Sequence, residues 1–437
     1  MDTAVSGGVY IETYGCQMNL VDSEIVLSML EEQGYRRVEQ PEQAEVILIN
    51  TCAIRDHAVV KAISNVGRFK RLKQARPETR IGVIGCMSKY AADDIARQVP
   101  FVSWILGPDL YRRLPQLLQE EDNKSPLILR DGDSKELYDE ILPARREGIN
   151  AWVTITRGCN NHCTYCVVPG ARGPERHRPA ESILSEIQEA VSQGFVQITL
   201  LGQNVNSYSH DSIDFADLLR MAADVEGVGR MRFMTSHPKD CSEKLLDTIA
   251  SHSRICPELH LPFQAGSDRI LKRMNRKYTS DHYLNLIKLA KEKIENLYLS
   301  TDIIVGFPGE TEEEFLQTEE IVKKVQYDSA FIYKYSERVN TPAAKLEDDI
   351  PEDEKVKRLM RLNEIVRESG IRSREKQIGR ILPVMIEGPS VKDPEESLGR
   401  SPAGYNIVIA GRYEPGTIVD TKIEKLSGLT LRGIENN

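Results

Sequence analysis

The sequence predicts an α/β chain of three successive parts: a doubly wound parallel-sheet domain, a partial (β/α)6 barrel and a small all-β, OB-like barrel. Three observations lead there. Four strand-like runs alternate with helical periodicity in the first 120 residues, the pattern of a parallel sheet with helices on its faces. Six more such alternations fill roughly 220 further residues, as an incomplete β/α barrel would, although an open doubly wound sheet has the same pattern. From about Ser373 the runs are broken by Gly and Pro with no helix between them.

In the first part the expected strands are Val9–Thr13, Glu45–Asn50, Arg80–Gly85 and Trp104–Gly107. Helices are expected at Val21–Glu32, Ala58–Lys73, Ala91–Gln98 and Asp109–Gln119. This domain spans 8–122, and the polar stretch 123–146 reads as a linker. In the second part, 147–372, the strands are Ala151–Thr156, Gln197–Leu201, Met231–Thr235, Glu258–Phe263, Tyr298–Val305 and Ala330–Tyr335. The third part, 373–437, shows Ile381–Ile386, Tyr405–Ala410 and Ile418–Ile423.

Composition fits a globular chain of 437 residues, with 40% hydrophobic and 28% charged residues. Apolar runs such as Glu45–Asn50 are strand-sized, too short to span a bilayer. Residues 1–8 carry no basic or apolar leader, so the cytoplasm is the expected compartment. The net charge of −9 argues weakly against a nucleic-acid partner. Lys355–Arg380, however, holds nine Lys or Arg against three acids, which fits a local basic face or a solvated helix.

The cysteines carry the chemistry. Cys159-Asn-Asn-His-Cys163-Thr-Tyr-Cys166 follows a predicted strand. Three thiolates on one short loop hold three corners of a [4Fe–4S] cube and leave the fourth iron open. Zinc is the alternative, but it wants a fourth Cys or His, and His162 sits awkwardly between two ligands. Cys16, Cys52 and Cys86 each follow a predicted strand, at separations of 36 and 34 residues. In a parallel sheet, residues just past the strand ends share one edge, where such folds bind ligands. Three buried core cysteines are the plainer reading of that set.

The C-x3-C-x2-C run with its aromatic Tyr165 resembles the radical S-adenosylmethionine (SAM) superfamily. The turn Leu201-Gly-Gln-Asn204 stands where many members have Gly-Gly-Glu for the SAM amino group, with Gln203 in place of the Glu. Leu261-Pro-Phe-Gln-Ala-Gly-Ser267 and Thr301-Asp-Ile-Ile-Val-Gly-Phe-Pro-Gly-Glu310 resemble later SAM-contacting stretches. Glu12-Thr-Tyr-Gly-Cys16-Gln-Met-Asn19, Asn50-Thr-Cys52 and Gly85-Cys86-Met87 look like the N-terminal domain of the methylthiotransferases. Gly15-Cys16-Gln-Met-Asn19 with Asp22-Ser-Glu24, and Cys166-Val-Val-Pro169 with Arg172-Gly173, resemble the branch acting on isopentenylated adenosine in tRNA. Sister branches, which act on threonylcarbamoyl-adenosine or a ribosomal-protein aspartate, usually show Lys where Gln17 stands. The C-terminal segment resembles the RNA-binding TRAM domain.

That resemblance implies two [4Fe–4S] clusters and SAM as cofactors. Cys159, Cys163 and Cys166 would hold one cluster. Cys16, Cys52 and Cys86 would hold the auxiliary cluster, from which sulfur is delivered. Tyr165, Gly202, Gln203, Gln264 and Ser267 would contact SAM. The implied partners are tRNA, an electron donor such as flavodoxin or ferredoxin, and the iron–sulfur assembly machinery, with no membrane and a monomeric chain. Arg172, Arg176 and Arg178 are candidates to hold RNA phosphates over the cluster, with ordinary surface charge or a contact to the SAM carboxylate as the other readings. Cys241, Cys256, His57, His237 and His260 read as structural. A non-catalytic RNA-binding redox sensor is the rival from another class; it has no need of the SAM-like stretches.

Overall fold

The computed structural model describes residues 7–52, 63–120 and 125–436. His57, most of the loop after Cys52 and the start of the next expected helix lie outside them.

The first sheet has six parallel strands: β1 (Gly7–Thr13), β2 (Tyr35–Arg37), β3 (Val46–Thr51), β4 (Arg80–Gly85), β5 (Trp104–Leu106) and β6 (Leu127–Leu129). Their order is β2-β1-β3-β4-β5-β6. The chain reverses direction across the sheet between β1 and β3, the place where doubly wound sheets bind ligands beyond the strand ends. Both faces are covered. Helix α1 (Gln17–Glu32) packs Val21, Ile25 and Leu30 against Val9, Val46 and Leu48. On the other face Val66, Phe69 and Ile95 meet Ile47, Ile49 and Val83. Helices α2 (Lys70–Ala75), α3 (Cys86–Tyr90), α4 (Ala92–Gln98) and α5 (Leu114–Gln119) complete the domain. Two strands escape a sequence reading. Tyr35-Arg-Arg37 is polar and three residues long. Leu127–Leu129 lies within the expected linker, yet it pairs with β5. The linker is also tied inward by Tyr138, whose ring is 1% exposed and stacks on Tyr111.

The second domain has the six expected strands: β7 (Asn150–Thr154), β8 (Gln197–Leu201), β9 (Arg230–Phe233), β10 (Glu258–His260), β11 (Tyr298–Val305) and β12 (Ser329–Lys334). β7, β8 and β9 form one parallel half and β10, β11 and β12 another, joined by a parallel bridge between Met231 and Ile255. That is an open (β/α)6 barrel. Alternation sorts its side chains. Val153, Ile198, Leu200, Met231, Leu259 and Ile303 face outward into a core with α7 (Ala180–Ser192), α8 (Phe215–Asp224), α9 (Glu243–Ser251), α11 (Ser280–Lys293) and α12 (Glu312–Val325). Short helices α6 (Val168–Arg172) and α10 (Asp268–Arg273) lie at the strand exits. The alternate positions are polar: Gln197, Thr199, Arg230, Arg232, Glu258, His260, Ser300 and Asp302.

Helix α13 (Glu352–Glu375) leads to the third domain. Its cations divide into two sets: Lys357, Arg361, Arg367 and Arg372 are exposed, and three others are buried. Lys355 is buried against Asp348, Arg358 against Glu310, and Arg374 donates to the carbonyls of Asp328, Gly370 and Leu429. The helix uses these buried cations to fasten itself to the rest of the protein.

The last domain is a closed five-stranded barrel, β13 (Ile381–Pro389), β14 (Glu396–Arg400), β15 (Asn406–Ala410), β16 (Ile418–Ser427) and β17 (Thr430–Glu435), in the order β13-β14-β15-β17-β16. It closes the floor of the (β/α)6 barrel. Arg230 donates to the carbonyls of Arg400 and Pro383, and Arg232 to those of Ser401 (3.0 Å) and Pro402 (3.3 Å). The Tyr405 hydroxyl donates to Asp328 at 2.9 Å.

Candidate active site

The six cysteines expected to matter lie at the carboxyl ends of strands. Cys16 caps α1 just beyond β1, Cys52 follows β3, and Cys86 opens α3 directly after β4. Cys16 and Cys52 therefore flank the point where the sheet order reverses. Gly15, at φ +128°, allows their approach, because a Cβ there would overlap the Cβ of Cys52. The thiol contact from Cys52 draws Cys16 down to about 6, against its burial. Burial pushes Cys86 up to about 11.

The second set sits on the loop after β7. Gly158, at φ +77°, turns that loop against the carbonyls of Gly173 and Pro174. The Thr164 N–H donates to Met274 O (3.1 Å), and Asn275 Nδ2 donates to His162 O (2.7 Å). Each sulfur accepts a hydrogen bond: Cys159 from the Asn161 N–H, Cys166 from the Val168 N–H and Cys163 from Arg276 Nη1, each at 3.4 Å. In the first triad, Cys86 accepts from Arg172 Nε at 3.0 Å. Donors aimed at sulfur suit thiolates that hold an iron–sulfur cluster. His162, between Cys159 and Cys163, is exposed to solvent.

A partly open cavity of about 150 Å³ joins the two domains. Its lining includes Cys16, Cys86, Arg172, Gly202, Gln203 and Thr235. Two of these groups are buried without a partner among the described residues, Arg172 Nη1 and Gln203 Oε1. A buried guanidinium N–H left open beside two cysteines fits an anionic sulfur-bearing group in that space. Thr235 is β-branched yet held at φ +70°, strained backbone of the kind that collects at functional sites. Nothing in the sequence marked it.

The other expected SAM contacts are placed variously. Gln264 is buried at φ +70° beyond β10. The buried Tyr165 phenol faces Arg276 and Tyr278, and burial raises it well above its ordinary value. Ser267 stands at a helix start. Its hydroxyl donates to Glu314 Oε1 (2.9 Å) and accepts the Ile270 N–H, so it caps α10.

Arg172, Arg176 and Arg178, the candidates to hold RNA phosphates, are turned inward. All three are at most 9% exposed, and each is paired with a buried acid, although Arg172 Nη1, Arg176 Nε and Arg178 Nε have no hydrogen-bond partner among the described residues. Arg172 pairs with Asp22 (2.8 Å), Arg176 with Asp109 (3.1 Å) and Arg178 with Glu186 (2.5 Å). The acidic partners lie 8 to 150 residues away in sequence, and no local pattern reveals them. Sequence reasoning also missed Arg276, which bonds Cys163 from 113 residues away. Cys241 and Cys256 are buried in the barrel domain, and burial pushes Cys241 up to about 12. His237 is held near 2 by burial and is neutral, while His260 bonds Ser300 Oγ at 2.9 Å.

Comparison with known proteins agrees with this geometry. Residues 153–322 match the Radical SAM superfamily, and residues 8–107 match the Uncharacterized protein family UPF0004. A tRNA-2-methylthio-N(6)-dimethylallyladenosine synthase of Clostridium botulinum is 44% identical over 99% of this chain and 98% of its own length. The chain belongs to the tRNA-2-methylthio-N6-dimethylallyladenosine synthase family. A synthase of the same name from Desulforamulus reducens is 43% identical over 95% of this chain and 92% of its own. Among solved structures, the radical SAM methyltransferase TsrM of Kitasatospora setae, with tryptophan and a SAM analogue bound, aligns with a TM-score of 0.57. It is 14% identical over 88% of this chain and 78% of that one, which shows the shared fold. The cobalamin-dependent radical SAM enzyme OxsB aligns at 0.55, with 11% identity over 82% of this chain and 56% of that one. The radical SAM domain works with an iron–sulfur cluster and SAM. Among the described residues no helix is long and apolar enough to cross a membrane.

Proposed function

We propose that this synthase-family member converts N6-isopentenyladenosine at position 37, beside the anticodon of tRNA, to its 2-methylthio derivative. One observation carries the reading: a single cavity is lined both by Cys16 and Cys86 and by the Gly202-Gln203 turn. The carbon–hydrogen bond to be replaced is aromatic, far too weak an acid for a side-chain base near pH 7. When bound, the loop cluster with SAM supplies a carbon radical, a second SAM supplies the methyl group, and the auxiliary cluster supplies sulfur. The chain's own residues do the rest. Cys159, Cys163 and Cys166 hold one cluster, and Cys16, Cys52 and Cys86 the other. Arg276 and Arg172 place positive charge at Cys163 and Cys86. Leu201, Met234 and Val167 wall the cavity against water. The protein works as a cytoplasmic monomer, receives electrons from a flavodoxin or ferredoxin, and is loaded by the iron–sulfur assembly machinery. The matched relatives favour this over the sister branches, and the cavity favours it over a redox sensor.

The test replaces each triad by Ala in anaerobically reconstituted protein carrying about eight irons per chain. Without Cys159, Cys163 and Cys166, no 5′-deoxyadenosine should form. Without Cys16, Cys52 and Cys86, 5′-deoxyadenosine should still be released and about half the iron retained, but no methylthio nucleoside should appear by mass spectrometry of the tRNA. Methylthiolation by that second variant with added sulfide would overturn the role given to the auxiliary triad.

A further inference from the structure

We propose that Asp22 is a positioning residue that locks the two cysteine triads to each other, and that Arg172, held by it, sets the charge at the Cys86 sulfur. This rests on the two-cluster reading above.

Asp22 lies on α1, the helix that Cys16 begins, and its carboxylate is 0% exposed. Oδ1 accepts from Arg157 Nη1 at 2.8 Å. Oδ2 accepts from Arg172 Nη2 at 2.8 Å and from the Tyr111 hydroxyl at 3.2 Å. Arg157 stands two residues before Cys159, and Arg172 six residues after Cys166. One carboxylate of the first domain thus grips both ends of the second domain's cluster loop. The same Arg172 donates through Nε to Cys86 Sγ at 3.0 Å, closing the path from loop to auxiliary triad.

Charge makes the case stronger. Two guanidinium groups share one carboxylate, so the buried set carries a net positive charge. The Tyr138 ring lies 4.9 Å from the Arg157 guanidinium and offsets part of it. An uncompensated buried charge is strongly destabilising. The missing anion belongs where Arg172 points, at Cys86 and beside the cavity that both residues line. Hydrogen bonds and cations at cluster sulfurs raise the reduction potential.

The experiment is a reductive titration of the reconstituted, SAM-free protein followed by electron paramagnetic resonance, on the wild type and on Arg172→Gln, Arg172→Lys and Asp22→Asn. In Arg172→Gln the auxiliary cluster should become at least tenfold harder to reduce, about 59 mV for one electron. The loop cluster should keep its potential. Arg172→Lys should recover part of the shift, since a point charge cannot serve Asp22 and Cys86 together. Asp22→Asn should alter the magnetic coupling between the two reduced clusters, which reads their separation. An unshifted auxiliary potential in Arg172→Gln, or in Arg172→Met should Gln prevent loading, overturns the role of Arg172. Unchanged coupling in loaded Asp22→Asn overturns that of Asp22. A wild type that shows a single cluster signal overturns the two-cluster reading beneath both.

Discussion

At the scale of single residues, the site depends on small margins of space and charge. Gly15 is a sharp case, since its φ of +128° is poorly suited to a side chain and the space of its Cβ is already taken by Cys52. Gly15→Val should therefore displace Cys52, cost about half of the bound iron and abolish methylthiolation, while reductive SAM cleavage persists. Iron analysis beside 5′-deoxyadenosine release checks it. Glu24 gives a pH dependence. Burial raises its carboxyl to about 7, with the Arg145 charge opposing and that of Glu186 adding. Its Oε2 has no hydrogen-bond partner among the described residues. The unfolded chain releases this proton near the ordinary 4.5, the folded one near 7. Between those values the folded state binds more protons, so stability falls as pH rises and levels off above about 7. The full cost is at most about 3 kcal/mol. Glu24→Gln should flatten that slope between pH 5 and 7, and denaturant midpoints of the two proteins across this window measure it. Parallel slopes would mean that Glu24 is ionised throughout.

At the scale of elements, α13 divides its cations between solvent and the barrel. Lys357, Arg361, Arg367 and Arg372 are exposed, whereas Arg358 is 5% exposed and bonds Glu310 at 2.9 Å. Arg358→Ala leaves a buried carboxylate unpaired and should cost about 3–5 kcal/mol. Lys357→Ala, one residue away and exposed, should stay within about 0.5 kcal/mol. Chemical denaturation of both variants separates them, and equal losses would contradict the inward orientation of the helix. The same physics explains what was legible beforehand. The central strands of the first sheet are continuous apolar runs because they are buried on both faces, as β3 is from Val46 to Thr51, whereas the strands of the (β/α)6 barrel alternate apolar with polar. The order of the first-sheet strands along the chain placed Cys16, Cys52 and Cys86 on one edge. β2 and β6 went unseen because strands of three residues at a sheet edge carry no periodicity. β14 and β17 went unseen because Glu396–Arg400 and Thr430–Glu435 mix Gly and charge into a barrel that is buried on one face only. Long-range partners such as Asp22 with Arg157, or Arg276 with Cys163, have no local signature; tertiary packing alone brings them together.

At the scale of the whole molecule, the cluster cysteines and the C-terminal barrel occupy opposite ends of the (β/α)6 barrel. The cysteines lie past the carboxyl ends of the strands. The C-terminal barrel meets their starts, through Arg230 on β9, Tyr298 on β11 and Asp328 just before β12. The structure also moves the boundary between these domains. α13 runs to Glu375, so a cut at Ser373 would sever its last turn and the contacts of Arg374. Truncation after Gln377 keeps the helix whole. It uncovers Tyr298, which is 7% exposed and part of the third domain's core, and it takes away the carbonyls that Arg230 and Arg232 bond. The truncated protein should therefore melt at a lower temperature. Water can serve the released arginines, so the barrel should remain folded. Both clusters and SAM cleavage should survive, because nothing at the carboxyl ends of the strands is altered. Affinity for tRNA at matched salt should fall, as expected if an OB-like barrel tracks RNA backbone and bases. The milder Tyr405→Phe removes one hydrogen bond to Asp328, should cost about 1 kcal/mol and should leave tRNA affinity unchanged. The pair of variants distinguishes a structural floor from an RNA-binding module. If truncation lowers the melting temperature but leaves tRNA affinity intact, the C-terminal barrel only closes the floor, and the RNA must be gripped near the cavity by the first two domains.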